Sequence, residues 1–218
     1  MLKKLALTVT GATLMTTFVD VNSVQGMNLI RNGSFESSSL NPGRGFISLG
    51  TGSTAINNWT TTGPIDYIGG LWQASDGGRS LDLNSSSTGG ISQTFDTIVG
   101  QNYTVTFDLA AHPDRRGSIN KSMRVSAAGD SEVFTFNRTG KSTLNMGWET
   151  NTWMFSATGS STTLSFISNI GGPYGPTLDN VSVTTVPEPL TILGAGMAVA
   201  FGTGLKKTLS KINKKSDL

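Results

Sequence analysis

Short segments of alternating apolar and polar residues recur through the middle of the chain and constrain its fold more than any other feature. The clearest segment, residues 103–109, reads YTVTFDL, with an apolar side chain at every second position. A period of two residues puts the apolar side chains on one face of a half-buried antiparallel strand. Residues 27–189 contain no comparable run of helical period. We therefore predict an all-β domain.

The number and spacing of these segments indicate the architecture. About ten segments rich in β-branched and aromatic residues are separated by Gly, Asn and Pro, which favour turns. Many short strands at regular spacing predict a sandwich or barrel, and we expect a two-sheet jelly-roll β-sandwich. Residues 37–55 and 168–177 are predicted to be long loops. The other predicted strands occupy residues 80–84, 91–95, 123–125, 133–136, 153–155, 164–167 and 178–183.

The N-terminus has the layout of a secretory signal. Two lysines precede a mostly apolar, uncharged stretch at residues 5–19, and small residues follow near Gly26. This layout predicts a signal peptide of residues 1–26, removed by signal peptidase after Gly26, with Ser23 as the alternative position. The other interpretation is a buried strand or helix of the fold.

The C-terminus carries a second apolar segment. Residues 190–205 are uncharged and are followed by five lysines. As a helix the segment reaches about 24 Å, which is short for a bilayer core of about 30 Å. We expect a short transmembrane helix that holds the chain transiently in the inner membrane, with its lysines on the cytoplasmic side. The alternative is an amphipathic tail lying on the domain.

The charge distribution excludes one class of partner. The whole chain has a calculated pI of about 9.0, but residues 27–189 contain 9 basic and 12 acidic residues. The basic character therefore belongs to the two ends, and nucleic-acid binding, which requires a basic patch on the folded domain, is not expected. With no cysteine and His112 as the single histidine, thiol catalysis and cysteine-ligated zinc are excluded.

The last segment resembles a known sorting signal. Pro187, Glu188 and Pro189, followed by the uncharged run and the lysines, resemble the bacterial PEP-CTERM signal, especially its cyanobacterial form. The resemblance implies an exosortase-type enzyme as partner, in a bacterium with an outer membrane. It also implies a secreted, cell-surface or envelope location. The tail would then comprise residues 186–218.

The domain, residues 27–185, resembles the choice-of-anchor C family, which is related to a plant cell-wall family. That resemblance implies a galactose-binding-like jelly roll and a polysaccharide or exopolysaccharide ligand. His112 stands where the family usually has Asn, and the cysteines and second domain of the plant relatives are missing. The matching segments are residues 28–36, 56–59, 65–68, 78–83, 90–95, 100–109 and 175–183.

The same resemblance suggests a metal site. In similar carbohydrate-binding jelly rolls, acidic residues at the positions of Glu36 and Asp179 help to hold a structural Ca²⁺. Carboxylate oxygens suit this ion, and a domain without disulfides would gain stability from it. Alternatively, both residues are exposed acids, or Asp179 forms a hydrogen bond to a turn.

Aromatic residues are the candidates for contact with a sugar, because flat rings stack on its apolar C–H faces. Trp72 lies in a Gly-rich loop and is predicted to be exposed there, although a tryptophan folded back onto the core is the equal alternative. Tyr67 and Tyr174 are the other aromatic candidates, with Asp66 and His112 as polar neighbours. The remaining tryptophans are expected in the core, and they are Trp59, Trp148 and Trp153.

These features favour a non-catalytic, exported protein that binds a polysaccharide. A structural matrix protein without a specific small ligand is the first alternative. A glycan-active hydrolase is the second, because several aspartates could supply the two carboxylates that such an enzyme needs. Their spacing does not require that role, and the chain has no Gly-x-Ser-x-Gly motif for a serine nucleophile. The aspartates in question are Asp66, Asp76, Asp82, Asp108 and Asp114.

Overall fold

The computed structural model describes residues 26–114 and 116–187. Within these ranges the chain forms eleven β-strands and no helix, which confirms the predicted all-β class. The strands are β1 (Phe46–Leu49), β2 (Thr60–Gly63), β3 (Ile65–Ile68), β4 (Ser80–Asp82), β5 (Gly90–Asp96), β6 (Asn102–Ala111), β7 (Asn120–Ala127), β8 (Asp130–Asn137), β9 (Glu149–Ser156), β10 (Ser161–Ser168) and β11 (Pro176–Thr185).

The strands form two antiparallel sheets that pack face to face. Sheet I has six strands in the order β1-β3-β4-β11-β6-β9, and sheet II has five in the order β2-β5-β10-β7-β8. Strands far apart in sequence are therefore neighbours in space, as in β11 between β4 and β6. This arrangement is the predicted jelly-roll sandwich.

The alternating segments form the core as predicted. In β6 the four apolar residues of 103–109 are at most 1 % exposed. Phe107 packs edge to face against Phe166 of sheet II, with ring centroids 5.3 Å apart. Truncating a buried phenylalanine of this kind to alanine costs about 3–5 kcal/mol of stability, so this cross-sheet contact contributes much of what holds the two sheets together.

One loop prediction is wrong in part. Residues 37–55 contain β1, which pairs only with β3, at the edge of sheet I. The strand has four residues between Gly45 and Gly50 and buries only one of them, Leu49. An edge strand this short lacks the sustained alternation that identifies the other strands.

The segment before β1 packs along the last strand. The backbone N–H of Leu29 donates to the carbonyl of Val183 (2.8 Å), and that of Val181 donates to the carbonyl of Gly33 (3.0 Å). A Cβ atom at Gly33 would lie 1.9 Å from the Val181 carbonyl oxygen. Glycine is therefore required at this close approach of two backbones.

The two ends of the domain lie together. Gly26 contacts Thr185, and the backbone N–H of Val186 donates to the carbonyl of Asn102 at the start of β6 (2.9 Å). Apart from Gly26, the predicted signal peptide lies outside the described residues, and so do Glu188, Pro189 and the predicted span 190–205. In the part that the structure describes, no helix has the length and apolarity needed to cross a membrane.

Candidate functional site

Four loops meet at one end of the sandwich, beyond the last residue of β6. They connect β3 to β4, β6 to β7, β8 to β9, and β10 to β11. The backbone N–H of Gln73 donates to the carbonyl of Thr143 (3.0 Å), and the indole of Trp148 donates to the carbonyl of Gln73 (2.9 Å). These bonds join the β3–β4 loop to the β8–β9 loop.

Two carboxylates hold the second half of the β3–β4 loop. Glu36 Oε1 accepts hydrogen bonds from the backbone N–H groups of Gly78 and Arg79, both at 2.7 Å. Asp179 Oδ2 accepts from those of Ser75 (2.8 Å) and Asp76 (3.0 Å). Glu36 and Asp179 thus bind neighbouring peptide groups of one loop.

The environment of this pair leaves carboxylate charge only partly compensated. Asp179 is fully buried, and burial raises its pKa to about 7 despite its backbone hydrogen bonds, so these donors compensate its negative charge only in part. Glu36 Oε2 accepts no hydrogen bond from the residues that the structure describes. No cluster of three or more His, Cys, Asp or Glu side chains suited to a metal occurs among the described residues. Calcium binding therefore stays a prediction.

Three of the five predicted ligand-contacting residues form one aromatic row. The ring of Trp72 lies edge to face with that of His112, with centroids 5.2 Å apart, and His112 packs against Tyr174 at 4.8 Å. The guanidinium of Arg116 lies 5.1 Å from the centre of the Tyr174 ring. These residues come from three different loops, so the fold assembles the row.

Trp72 is not exposed as predicted. Its side chain is 5 % exposed, and its indole N–H donates to Ser80 Oγ (3.0 Å). The loop folds this tryptophan back onto the core, which was the alternative interpretation. Its small exposed part still lines a cavity, so Trp72 forms part of a wall rather than an open stacking platform.

The other two predicted ligand residues lie elsewhere. Tyr67 is fully buried in the core, and its hydroxyl donates to the carbonyl of Phe35 (2.8 Å). Asp66 lies in β3 and accepts a hydrogen bond from Ser48 Oγ (2.6 Å). Neither lines the cavity beside Trp72. Of the tryptophans expected in the core, Trp59 and Trp153 are buried and Trp148 is half-buried against the core.

Burial sets the protonation state of His112. Desolvation lowers its pKa to about 4, so the imidazole is neutral near pH 7. Nδ1 accepts a hydrogen bond from the backbone N–H of Asp114 (3.0 Å). In a neutral imidazole the other nitrogen then carries the proton, which makes Nε2–H a hydrogen-bond donor.

The carboxyl group of Asp114, unlike the imidazole of His112, is charged. It forms an ion pair with Arg116, with Nη2 and Oδ2 2.7 Å apart. Hydrogen bonds from Arg116 hold the pKa of this carboxyl below its usual range, so it is ionised at any pH near neutrality. Asp114 is therefore a permanent acceptor, while the neighbouring His112 is a donor.

The loops enclose two adjoining cavities, of about 420 and 470 Å³. Both are lined by Lys141 and Ser142, so they are parts of one depression, which we call the loop groove. Ligand pockets in proteins are commonly about 300–1,000 Å³, and each half of the groove is within that range. The groove is lined by Leu71, Trp72, His112, Pro113, Asp114, Ile119, Arg138, Thr139, Gly140, Lys141, Ser142 and Thr143.

Several of these lining residues were not predicted. Leu71 adjoins Trp72 in the sequence and was within reach of the same reasoning. Lys141, Ser142 and Thr143 belong to a loop that the sequence places far from Trp72, between β8 and β9. The hydrogen bonds of Gln73 with Thr143 and Trp148 bring the two loops together, and no signal in the sequence indicates these contacts.

Comparison with known proteins adds a family and a relative. The family described as "Protein of unknown function (DUF642)" matches residues 28–184. Halomucin from Haloquadratum walsbyi is 30 % identical over 179 residues, which cover 79 % of this chain and 2 % of halomucin. The chain thus spans only a very small part of the length of this curated relative.

Two solved structures show a likeness of fold alone. TmCBM61 in complex with β-1,4-galactotriose is 13 % identical with a TM-score of 0.44, over 73 % of this chain and 99 % of that one. The CBM22-1 xylan-binding domain of Paenibacillus barcinonensis Xyn10C is 18 % identical with a TM-score of 0.46, over 75 % of this chain and 97 % of that one.

Proposed function

This chain belongs to the DUF642 family, and from that premise we propose that it is a non-catalytic protein that binds a carbohydrate in the loop groove. The supporting observation is the composition of the groove wall. Apolar surface from Leu71, Trp72 and Pro113 lies beside polar groups of several kinds. A sugar ring requires both, because its C–H faces are apolar and its hydroxyls need donors and acceptors.

The polar groups of the groove suit hydroxyl recognition. Neutral His112 offers the Nε2–H donor, and ionised Asp114 offers carboxylate acceptors. The hydroxyls of Ser142 and Thr143 can act in either role. A polyol meets donors and acceptors on one side of the groove and apolar surface on the other.

The state of the carboxyl groups supports a binding rather than a hydrolytic role. A glycosidase needs a carboxylic acid that stays protonated until it donates to the leaving group. Among the described lining residues, Asp114 is the one carboxyl, and its ion pair keeps it ionised. Burial raises the pKa of Asp82 and of Asp179, but neither residue lines the groove, and neither does Asp108.

The place of the groove in the domain supports display at a surface. β6 runs from Asn102, which bonds Val186 near the chain's exit, to Ala111, which immediately precedes His112. A strand of ten residues is about 30 Å long. We propose that the protein is exported and held transiently by its C-terminal tail before cleavage, with the groove pointing away from the attachment.

We also propose a structural Ca²⁺ at Glu36 and Asp179. The ion would take oxygens from these two side chains, which already bind the same loop. It would supply the positive charge that the buried Asp179 carboxylate lacks. The same loop carries Trp72, so the ion would stabilise the wall of the groove.

Titration calorimetry of the purified protein with a panel of plant, algal and bacterial polysaccharides tests the function. His112→Phe keeps a ring between Trp72 and Tyr174 but removes the donor, and we expect it to weaken binding about tenfold or more. Arg31→Gln, in a separate cavity beside β5, is the matched control and should bind as the wild type does.

The alternatives predict other results. A folded protein that binds none of the panel would favour a structural matrix role. Release of reducing sugars from a bound polymer would show a hydrolase. Equal losses in H112F and R31Q would place the binding site outside the loop groove.

A further inference from the structure

Lys141 lies at the junction of the two halves of the loop groove. Its side chain lines both cavities, and it is half-buried. A Cβ atom at Gly147 would lie 2.2 Å from Nζ, so the ammonium group packs closely against this glycine backbone. A ligand that extended through the groove would pass Lys141.

Among the described residues, the ammonium group of Lys141 has no carboxylate or carbonyl acceptor. Within the described residues its side chain takes part in one interaction, with the Phe136 ring, whose centroid lies 5.7 Å from Nζ. At that distance a cation–π contact is weak. A half-buried ammonium with three N–H donors and no carboxylate or carbonyl partner is a favourable position for an anion.

The charges around the groove also favour an anionic ligand. Asp114, the one carboxyl among the described lining residues, is already neutralised by Arg116. Arg138 adds a second positive charge to the lining, with its guanidinium donating to the carbonyls of Ser118 and Gly117. With the charge of Asp114 paired, Lys141 leaves a positive charge in the groove of a domain with more acidic than basic residues.

From this arrangement we propose that the ligand is an acidic polysaccharide, with a carboxylate or sulfate group bound by Lys141. This proposal rests on the proposed carbohydrate-binding function and names its substrate class. A lysine is a compact point charge and does not require the planar, bidentate geometry that arginine favours. Both anionic groups fit it, while Ser142 and Thr143 beside it are placed to bond sugar hydroxyls.

The experiment compares three oligosaccharide sets of equal length by titration calorimetry at low salt. They are oligogalacturonides, which carry carboxylates; sulfated oligogalactans; and neutral oligogalactans. Lys141→Gln is the test variant. Arg124→Gln is its control, because it removes one positive charge from the exposed face of β7 in sheet II, outside the groove.

We expect at least one acidic set to bind about tenfold more tightly than the neutral set, as for one charge-assisted hydrogen bond. K141Q should remove that advantage, so that it binds acidic and neutral sets equally, while R124Q should keep the advantage. Added salt should weaken acidic binding alone. Comparison of the two acidic sets identifies the anionic group.

Two results would overturn the proposal while leaving carbohydrate binding intact. One is neutral oligosaccharides that bind as tightly as acidic ones. The other is an equal loss of acidic binding in K141Q and R124Q, which would indicate overall charge rather than Lys141. If neither acidic nor neutral sugars bind the folded protein, the proposed function itself fails and this inference fails with it.

Discussion

Lys121 and Asp82 bind opposite sides of the same peptide group, the one that joins Tyr174 to Gly175. Lys121 Nζ donates to the Tyr174 carbonyl, and Asp82 Oδ1 accepts from the Gly175 N–H at 3.1 Å. Both side chains are fully buried. The Gly175 carbonyl also accepts a hydrogen bond from the backbone N–H of His112 (3.0 Å). Together these bonds fix Tyr174 beside His112, which lines the groove.

Replacing Lys121 should therefore affect both stability and the groove. Lys121→Met keeps the length of the side chain but leaves the Tyr174 carbonyl without its donor. A buried acceptor left unsatisfied costs about 1–3 kcal/mol, and we expect the free energy of unfolding in urea to fall by that amount. Arg124→Met, at an exposed position of the same strand, should change it by less than about 0.5 kcal/mol. Equal losses of unfolding free energy in K121M and R124M would contradict a stabilising hydrogen bond from Lys121 to Tyr174.

The sequence predicts the fold far better than the site, and the reason is physical. Alternation along 103–109 follows from burial of one strand face, so a strand of this kind can be recognised from its own residues. The groove depends on contacts between distant loops, such as Gln73 with Thr143. Trp72 shows the limit most clearly. Its loop position suggested exposure, whereas its side chain packs into the core and donates a hydrogen bond to the Ser80 hydroxyl.

Calcium should stabilise the domain if Glu36 and Asp179 share an ion. A ligand at 100 times its dissociation constant adds about 2.7 kcal/mol to the free energy of unfolding. For a domain of this size that raises the Tm by about 5–10 °C. Differential scanning calorimetry in EDTA and in excess Ca²⁺ measures the difference. Glu36→Gln should abolish the response, and identical Tm values for the wild type in both buffers would rule out the site.

Without calcium, Asp179 should make stability depend on pH in an unusual direction. Its pKa rises from 3.8 to about 7 on folding, so between these values the folded protein binds a proton that the unfolded chain has lost. The stabilisation is complete below about pH 4 and is lost as the pH rises through 7. His112, whose pKa falls to about 4, acts in the opposite direction over part of this range.

A comparison of the wild type with an Asp179 variant separates the pH dependence due to Asp179 from that due to His112. The free energy of unfolding of the wild type minus that of Asp179→Asn should decrease from pH 4 to pH 8, by about 4 kcal/mol at most. The hydrogen bonds that asparagine loses add an offset that does not vary with pH. Urea unfolding in EDTA at several pH values gives this difference, and a constant value would show that Asp179 is ionised throughout.

The end of the fold defines where the chain can be cut without harm. Among the described residues, Val186 is the last that hydrogen-bonds to the domain, through its N–H to Asn102 (2.9 Å) and its carbonyl to the Gln101 side chain (2.8 Å). Pro187 is already exposed, and prolines on both sides of Glu188 disfavour helix and strand pairing there. From this sequence pattern we expect the segment 187–189 to enter a protease cleft without unfolding β11. We therefore expect intact-mass measurement of the mature protein to give a C-terminus between residues 186 and 189, and a melting temperature equal to that of a chain truncated after Pro187. A mature protein that retains residues 206–218 would instead make the tail a permanent anchor.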